Sequence, residues 1–221
     1  MFSAIILAGG SSTRMNGINK QLAVLEGIPV IVRSALAFER SALVDEIILA
    51  APRGEEQDYG ALLRSHLVTK LKAVTAGGAT RFLSVKNALP ECSSEFIAVH
   101  DGARPLISTE DIDRVLTDAV NYGASIAAAP VTDTIKICAG NLVDSTPDRD
   151  TLYAAQTPQA FRRELYLSCV GRLGTRAESL TDDSALLEAC GEEVHITAVT
   201  ACNMKVTRPQ DLAIAAAVLR R

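Results

Sequence analysis

Short apolar runs alternate with amphipathic segments along most of the chain, and this alternation restricts the fold more than any other feature. Phe2 to Leu7, Glu46 to Ala51, Lys70 to Thr75, Phe96 to His100 and Ser125 to Pro130 read as buried strands. Between them, Pro29 to Arg40, Gly54 to His66, Arg81 to Leu89 and Ser108 to Gly123 carry helical patterns, one opened by Pro29 and another capped by Ser108. Strand and helix in strict turn imply an α/β fold, a mainly parallel doubly wound sheet with helices on both faces. The pattern then breaks. From Thr134 to Tyr153, apolar pieces flank Ala139-Gly140-Asn141, a hairpin turn signal, which predicts a β arm at about 134–154 projecting from the sheet. Helical patterns return at Phe161 to Leu173 and Asp182 to Cys190, followed by a strand at Val194 to Thr200 and a last helix from Pro209. With 221 residues, no repeat and no low-complexity linker, a single domain over 1–221 is expected.

The stretch from Ile5 to Lys20 carries the most chemistry. An apolar strand passes abruptly into Ala8, Gly9 and Gly10, small residues that let backbone amides approach a ligand, and two cations follow, Arg14 and Lys20. Free N–H groups with fixed positive charge suit a polyphosphate. Neither a Walker loop nor a Gly-x-Gly-x-x-Gly fingerprint is present. A net charge of −4 argues against neutralising nucleic-acid backbones. No apolar run is long enough to cross a membrane, and Phe2 to Leu7 lacks a basic leader, so a cytoplasmic protein is expected. Five scattered cysteines without a Cys-x-x-Cys pair read as small buried residues in a reducing compartment, and no zinc-ligand spacing occurs.

Ligands of open parallel sheets sit at the carboxyl ends of strands, which singles out polar residues just after apolar runs. Besides the first loop these are Gly77-Gly78-Ala79-Thr80-Arg81 with Ser84, His100-Asp101-Gly102-Ala103-Arg104, Asp133-Thr134 and Asn203-Met204-Lys205. Asp101 suits Mg²⁺, which takes one or two carboxylates with phosphate oxygens. His100 reads as a strand-end residue making a structural hydrogen bond.

Taken in order, these motifs together with Arg14-Met15, Lys20-Gln21, Arg149, Gln156-Thr157-Pro158-Gln159 and Thr181-Asp182-Asp183 resemble the 2-C-methyl-D-erythritol 4-phosphate cytidylyltransferases over essentially the whole chain. The resemblance implies a dinucleotide-binding-like nucleotidyltransferase fold, a homodimer interlocked through the β arm, Mg²⁺ as cofactor, and CTP and a polyol phosphate as substrates. It places Arg14 and Lys20 on the triphosphate and Ala8, Gly9, Gly10, Gly78, Ala79 and Ser84 on the nucleoside, with Asp101 beside ribose and metal. Arg104, Thr134, Thr181 and Lys205 would line the acceptor side, and Arg149 would reach in from the partner's arm. Asn19 and Leu22 depart from the family's usual proline and aromatic, and the first loop is one residue shorter. A ribitol 5-phosphate cytidylyltransferase and a nucleotide-sensing protein without catalysis are the rival readings. The absence of an obvious Ser-His or Cys-His pair fits cytidylyl transfer to a polyol phosphate, because an acceptor phosphate with a second pKa near ~6 needs no general base.

Overall fold

A computed structural model describes residues 1–9, 19–199 and 202–220. In chain order it contains β1 (Phe2–Leu7), a small hairpin of β2 (Val24–Leu25) and β3 (Ile28–Pro29), α1 (Val30–Glu39), β4 (Val44–Ala51), α2 (Glu56–Ser65), β5 (Leu71–Ala76), α3 (Arg81–Ala88) and β6 (Phe96–Asp101). Then follow α4 (Thr109–Tyr122), β7 (Ala124–Pro130), β8 (Ile137–Ala139), β9 (Leu142–Ser145), β10 (Tyr153–Arg162), α5 (Arg163–Leu173), α6 (Asp183–Glu188), β11 (His195–Ala198) and α7 (Pro209–Leu219). Seven strands form one sheet in the order β11-β7-β10-β6-β1-β4-β5. All its pairings are parallel except those of β10, which runs antiparallel to both neighbours.

Period-two alternation supplies both faces of the sheet with core residues. Ala4 and Ile6 of β1, Ile47 and Leu49 of β4, and Phe96 and Ala98 of β6 pack in one layer with α1, α2 and α4. Their alternates Ile5, Leu7, Ile48, Ala50, Ile97 and Val99 pack in the other with α3, α5 and α6. Each Ile, Leu, Val or Phe among them contributes ~1.5–3 kcal/mol when fully buried, so the central strands anchor the fold. The expected helix signals act where the sequence puts them: the Ser108 hydroxyl accepts the Asp111 N–H at 3.0 Å, and Gly123 ends α4 in the left-handed region at φ 85°.

The amino ends of the central strands are tied by a carboxylate. Glu46 accepts hydrogen bonds from Ser3 Oγ (2.6 Å), Ser93 N (2.7 Å) and Ser93 Oγ (2.8 Å), and pairs with Lys72 Nζ at 2.8 Å. Burial opposes its ionisation, but the bonds from Lys72, Ser3 and Ser93 outweigh burial and hold its pKa at about 2. A carboxyl group lowered on folding stabilises above its unfolded pKa and loses that contribution as pH falls from about 4.5 toward 2. Glu46→Gln is therefore expected to cost ~1–2 kcal/mol at pH 7, after discounting for solvent screening, and to flatten stability between pH 4.5 and 2. Chemical denaturation of both proteins across that range measures it, and parallel profiles would contradict it.

The sequence reading missed β10, a central strand, and the short β2–β3 hairpin, and it began the following helix at Phe161 rather than Arg163. Pro158 is the reason for the first omission. A proline inside a run argues against a central strand, and the β10–β7 register does slip between Ala155 and Gln159, where the ladder is interrupted. The arm is present as β8 and β9, paired only with each other, and Ile137, Leu142 and Val143 on it are 52%, 77% and 61% exposed. Cys92 and Cys169 are buried as expected, whereas Cys138 and Cys202 are exposed. Among the described residues no helix is long and apolar enough to cross a membrane.

Candidate active site

The carboxyl ends of β1, β5 and β6 open on a cavity of about 270 Å³, lined among others by Gly9, Lys20, Gly78, Arg81, Asp101 and Lys205. Three cations thus face one carboxylate in a chain whose net charge is −4. Two glycines bring the backbone close. A Cβ on Gly78 would lie 2.3 Å from Leu83 Cβ, and one on Gly102 would lie 2.4 Å from Ile31 Cδ1 and 2.9 Å from Leu7 O. No side chain fits at either position without displacing its neighbours. The Ser84 hydroxyl accepts the Gly78 N–H at 3.0 Å and donates to Thr80 O at 3.0 Å, holding the loop ahead of α3, while the Thr80 hydroxyl caps that helix through Leu83 N.

Asp101 is the electrostatic centre. Its Oδ2 lies 2.8 Å from Lys205 Nζ and 3.5 Å from Arg104 Nε, and its Oδ1 lies 3.5 Å from Arg81 Nε. Burial pushes its carboxyl up, but Arg81, Lys205 and Arg104 outweigh burial and hold it far below the usual carboxylate range. Arg81 is fixed from behind. Its Nη1 pairs with Asp183, whose other oxygen accepts the buried Tyr166 hydroxyl at 2.7 Å and whose N–H donates to Gln159 Oε1 at 3.0 Å. Burial disfavours the Arg81 charge, and Asp183 and then Asp101 more than restore it. A charged guanidinium locked between two carboxylates keeps its position when a ligand arrives.

Behind Asp101 stands His100, fully buried. Its Nε2 lies 3.3 Å from the Arg104 carbonyl, which only accepts, so Nε2 carries the proton and Nδ1 accepts from the Thr157 hydroxyl at 3.0 Å. The same hydroxyl accepts the Asp101 N–H at 3.0 Å, beyond the Gln159–Val99 pair where the β10–β6 ladder ends. Burial lowers the His100 pKa to about 4, and the ring is neutral at pH 7. Its role is the structural one expected. Asn203 joins this network, its side-chain amide nitrogen donating to Thr157 O at 2.9 Å and its backbone carbonyl accepting Arg104 Nη1 at 2.9 Å, which fixes the segment carrying Lys205.

The structure thus gathers Gly9, Lys20, Gly78, Ala79, Ser84, Asp101 and Lys205 at one cavity, with Arg104 adjoining through Asp101. Ala8 is buried beside it, its N–H bonded to Ala50 O at 2.9 Å. Thr134 and Arg149 lie exposed on the arm, outside the cavity of their own chain, Arg149 donating to Thr132 O at 3.2 Å. Thr181 is exposed beside a crevice backed by Arg81. Gly10 and Arg14 lie outside the described residues. Asn19, the departure before Lys20, accepts the Gln21 N–H at 3.0 Å and donates to the Tyr59 hydroxyl at 3.0 Å, so an Asx-type bond shapes the turn that proline would otherwise preset. Sequence reasoning gave no role to Arg81, Asp183 or Gln21. Gln21 lines the cavity, and its buried Oε1 has no hydrogen-bond partner among the described residues.

The model of the 2-C-methyl-D-erythritol 4-phosphate cytidylyltransferase family matches residues 2–221. The chain is 40% identical to the 2-C-methyl-D-erythritol 4-phosphate cytidylyltransferase of Geobacillus kaustophilus, over 99% of this chain and 96% of that protein. It is 42% identical to a bifunctional enzyme of Desulfotalea psychrophila, where it covers 99% of its own length and 56% of the relative's. Among solved structures, 4-diphosphocytidyl-2C-methyl-D-erythritol synthase from Anaerococcus prevotii superposes with a TM-score of 0.87 at 31% identity, covering 100% of this chain and 98% of that one. The Thermus thermophilus cytidylyltransferase gives 0.79 at 29% identity, with both chains fully covered.

Proposed function

The chain belongs to the 2-C-methyl-D-erythritol 4-phosphate cytidylyltransferase family, and from that premise we propose how its residues divide the work of the reaction. The enzyme is a nucleotidyltransferase of isoprenoid precursor synthesis by the non-mevalonate route. It transfers the cytidylyl group of CTP to 2-C-methyl-D-erythritol 4-phosphate, giving 4-diphosphocytidyl-2-C-methyl-D-erythritol and pyrophosphate. The observation that carries the assignment of roles is the convergence of Lys20, Arg81 and Lys205 around the single carboxylate Asp101.

An oxygen of the acceptor phosphate attacks the α-phosphorus of CTP, and the bond to the bridging oxygen of pyrophosphate breaks on the opposite side. The attacking monoester is largely dianionic at neutral pH, its second pKa being near ~6, so alignment and charge neutralisation remain for the protein to supply. Lys20, with Arg14, holds the triphosphate and meets the charge that develops on the leaving group. Gly9, Gly10, Gly78, Ala79 and Ser84 seat the nucleoside, with Ala8 behind them. Lys205 and Arg104 align the acceptor, and Asp101 keeps both cations in place until the substrate phosphates compete for them. Asp101 also fits a Mg²⁺ site: its carboxylate is ionised and opens on the cavity. Among the described residues no three His, Cys, Asp or Glu side chains cluster, which accords with an ion held mainly by phosphate oxygens and water. Bound there, Mg²⁺ would neutralise phosphate charge.

Thr134, Arg149 and the exposed apolar face of β8–β9 are accounted for by a homodimer in which each arm covers the other and brings Arg149 to its partner's acceptor site. Such a protein works in the cytoplasm on small molecules, without nucleic acid or membrane. With CTP and Mg²⁺, pyrophosphate release is expected to be ~10–200-fold more efficient with 2-C-methyl-D-erythritol 4-phosphate than with ribitol 5-phosphate, the discrimination that one methyl-bearing carbon supports. A preference for ribitol 5-phosphate would overturn the acceptor assignment, and CTP binding without turnover of either would favour a sensor.

A further inference from the structure

The cations around Asp101 do not meet it alike. Lys205 and Arg104 reach its Oδ2, at 2.8 and 3.5 Å, whereas Arg81 reaches Oδ1, at 3.5 Å. Lys205 and Arg104 are the pair that the proposed division of roles, on which this inference rests, sends to the acceptor phosphate. Arg81 is held elsewhere. Its Nη1 pairs with Asp183, and its Nη2 is buried with no hydrogen-bond partner among the described residues, so two carboxylates fix the fork. Asp183 has little room to turn: its side chain is 2% exposed, and its Oδ1 accepts the hydroxyl of the fully buried Tyr166 at 2.7 Å. Gln159 closes the arrangement from β10, its Oε1 accepting the N–H groups of Asp183 and Ser184 at 3.0 and 3.1 Å and its Nε2 donating to Asp182 at 2.8 Å.

When substrate phosphates compete for Lys205 and Arg104, Arg81 is therefore the cation that stays on Asp101. The Asp101 N–H is tied as well, to the Thr157 hydroxyl at 3.0 Å, so with Oδ1 anchored the carboxylate keeps its plane and turns Oδ2 to the cavity. Arg81 also opens α3 directly after the Gly77–Thr80 loop, which links the nucleoside seat to the acceptor side through one side chain. We infer that Arg81 is a positioning residue for cytidylyl transfer: anchored by Asp183 and Tyr166, it holds Oδ1 of Asp101 so that Oδ2 sets where Lys205 and Arg104, and with them the acceptor phosphate, come to rest. A misplacement of about 1 Å at reacting groups costs on the order of 10²-fold in rate, so the anchor acts on turnover more than on CTP binding.

Two variants test it. Arg81→Lys keeps the charge and loses the planar fork, and Tyr166→Phe loosens Asp183 from a position outside the cavity lining. Rates at saturating CTP and acceptor are counted per CTP-binding site, titrated by calorimetry, so that a loss of folded protein lowers the number of sites and not the rate at each. Arg81→Lys is expected to lower kcat per site on the order of 10–100-fold and Tyr166→Phe by roughly threefold to tenfold, with the Kd for CTP within about threefold of the unaltered value. Because Tyr166 acts through Arg81, adding Tyr166→Phe to Arg81→Lys should change kcat by less than about twofold. Full kcat per site in Arg81→Lys, or effects that multiply in the double variant, would overturn the inference while leaving the proposed reaction intact. Should Arg81→Lys not fold, Tyr166→Phe decides alone: a reduced rate per site supports the inference and an unchanged one overturns it. If the unaltered protein bound CTP but turned over neither 2-C-methyl-D-erythritol 4-phosphate nor ribitol 5-phosphate, the proposed reaction would fail, and the role of Arg81 in it with it.

Discussion

Lys20→Ala is expected to lower kcat by ~10²–10³-fold, with a smaller rise in the KM for CTP. Pyrophosphate carries more charge as it departs than it does while still part of CTP, so a cation on that side gains interaction energy along the reaction coordinate. Lys20 lines the cavity, and the turn that carries it is shaped by the Asn19 side chain on the Gln21 N–H at 3.0 Å and on Tyr59. It is therefore aimed before the substrate arrives. The other lining cations, Arg81 and Lys205, are each engaged with Asp101, and Arg81 with Asp183 as well, so neither swings over to replace it. Steady-state pyrophosphate release at saturating acceptor measures both constants. An unchanged kcat with a raised KM would mean that Lys20 holds the ground state and takes no part in stabilising the leaving group.

What could be read in the sequence was what local chemistry dictates. The alternation of apolar runs and helical patterns gave the sheet its class, and the strand-end rule led to Gly78, Asp101 and Lys205, which the fold brings to one cavity. Contacts that span the chain left no local trace. Arg81 meets Asp183 across 102 positions, Asn203 meets Thr157 across 46, and Lys205 meets Asp101 across 104. Nothing in the residues near Arg81 says that a carboxylate so distant will fix it. β10 was hidden for a different reason: Pro158 and two glutamines look like a loop, and only side chains from other strands make them a strand. Thr157 supplies Asp101 with the bond that the ladder lacks there, and Gln159 takes the N–H groups of Asp183 and Ser184 at 3.0 and 3.1 Å. The arm could be read as a hairpin, because its turn is local, and the other described residues of the same chain leave its apolar side chains exposed.

That last point bears on the central claim, that the cavity of one chain is the donor half of a site whose acceptor half is completed by the arm of a second. Ile135, Ile137, Leu142, Val143 and Tyr153 are 40%, 52%, 77%, 61% and 43% exposed, more apolar surface than a two-stranded hairpin keeps in water unaided. Arg149 sits on the same arm and not at its own cavity. If arms cross, Lys20 serves its own chain and Arg149 serves the partner, so each single alanine variant is nearly inactive as a homodimer for a different reason. Co-expressing differently tagged Arg149→Ala and Lys20→Ala chains then yields mixed dimers with one intact site and one doubly damaged site. With random pairing, activity should recover to roughly a quarter of the unaltered level, and mixed dimers purified through both tags should reach roughly half. Mixed dimers that co-purify yet are no more active than the single variants would contradict a site shared between two chains.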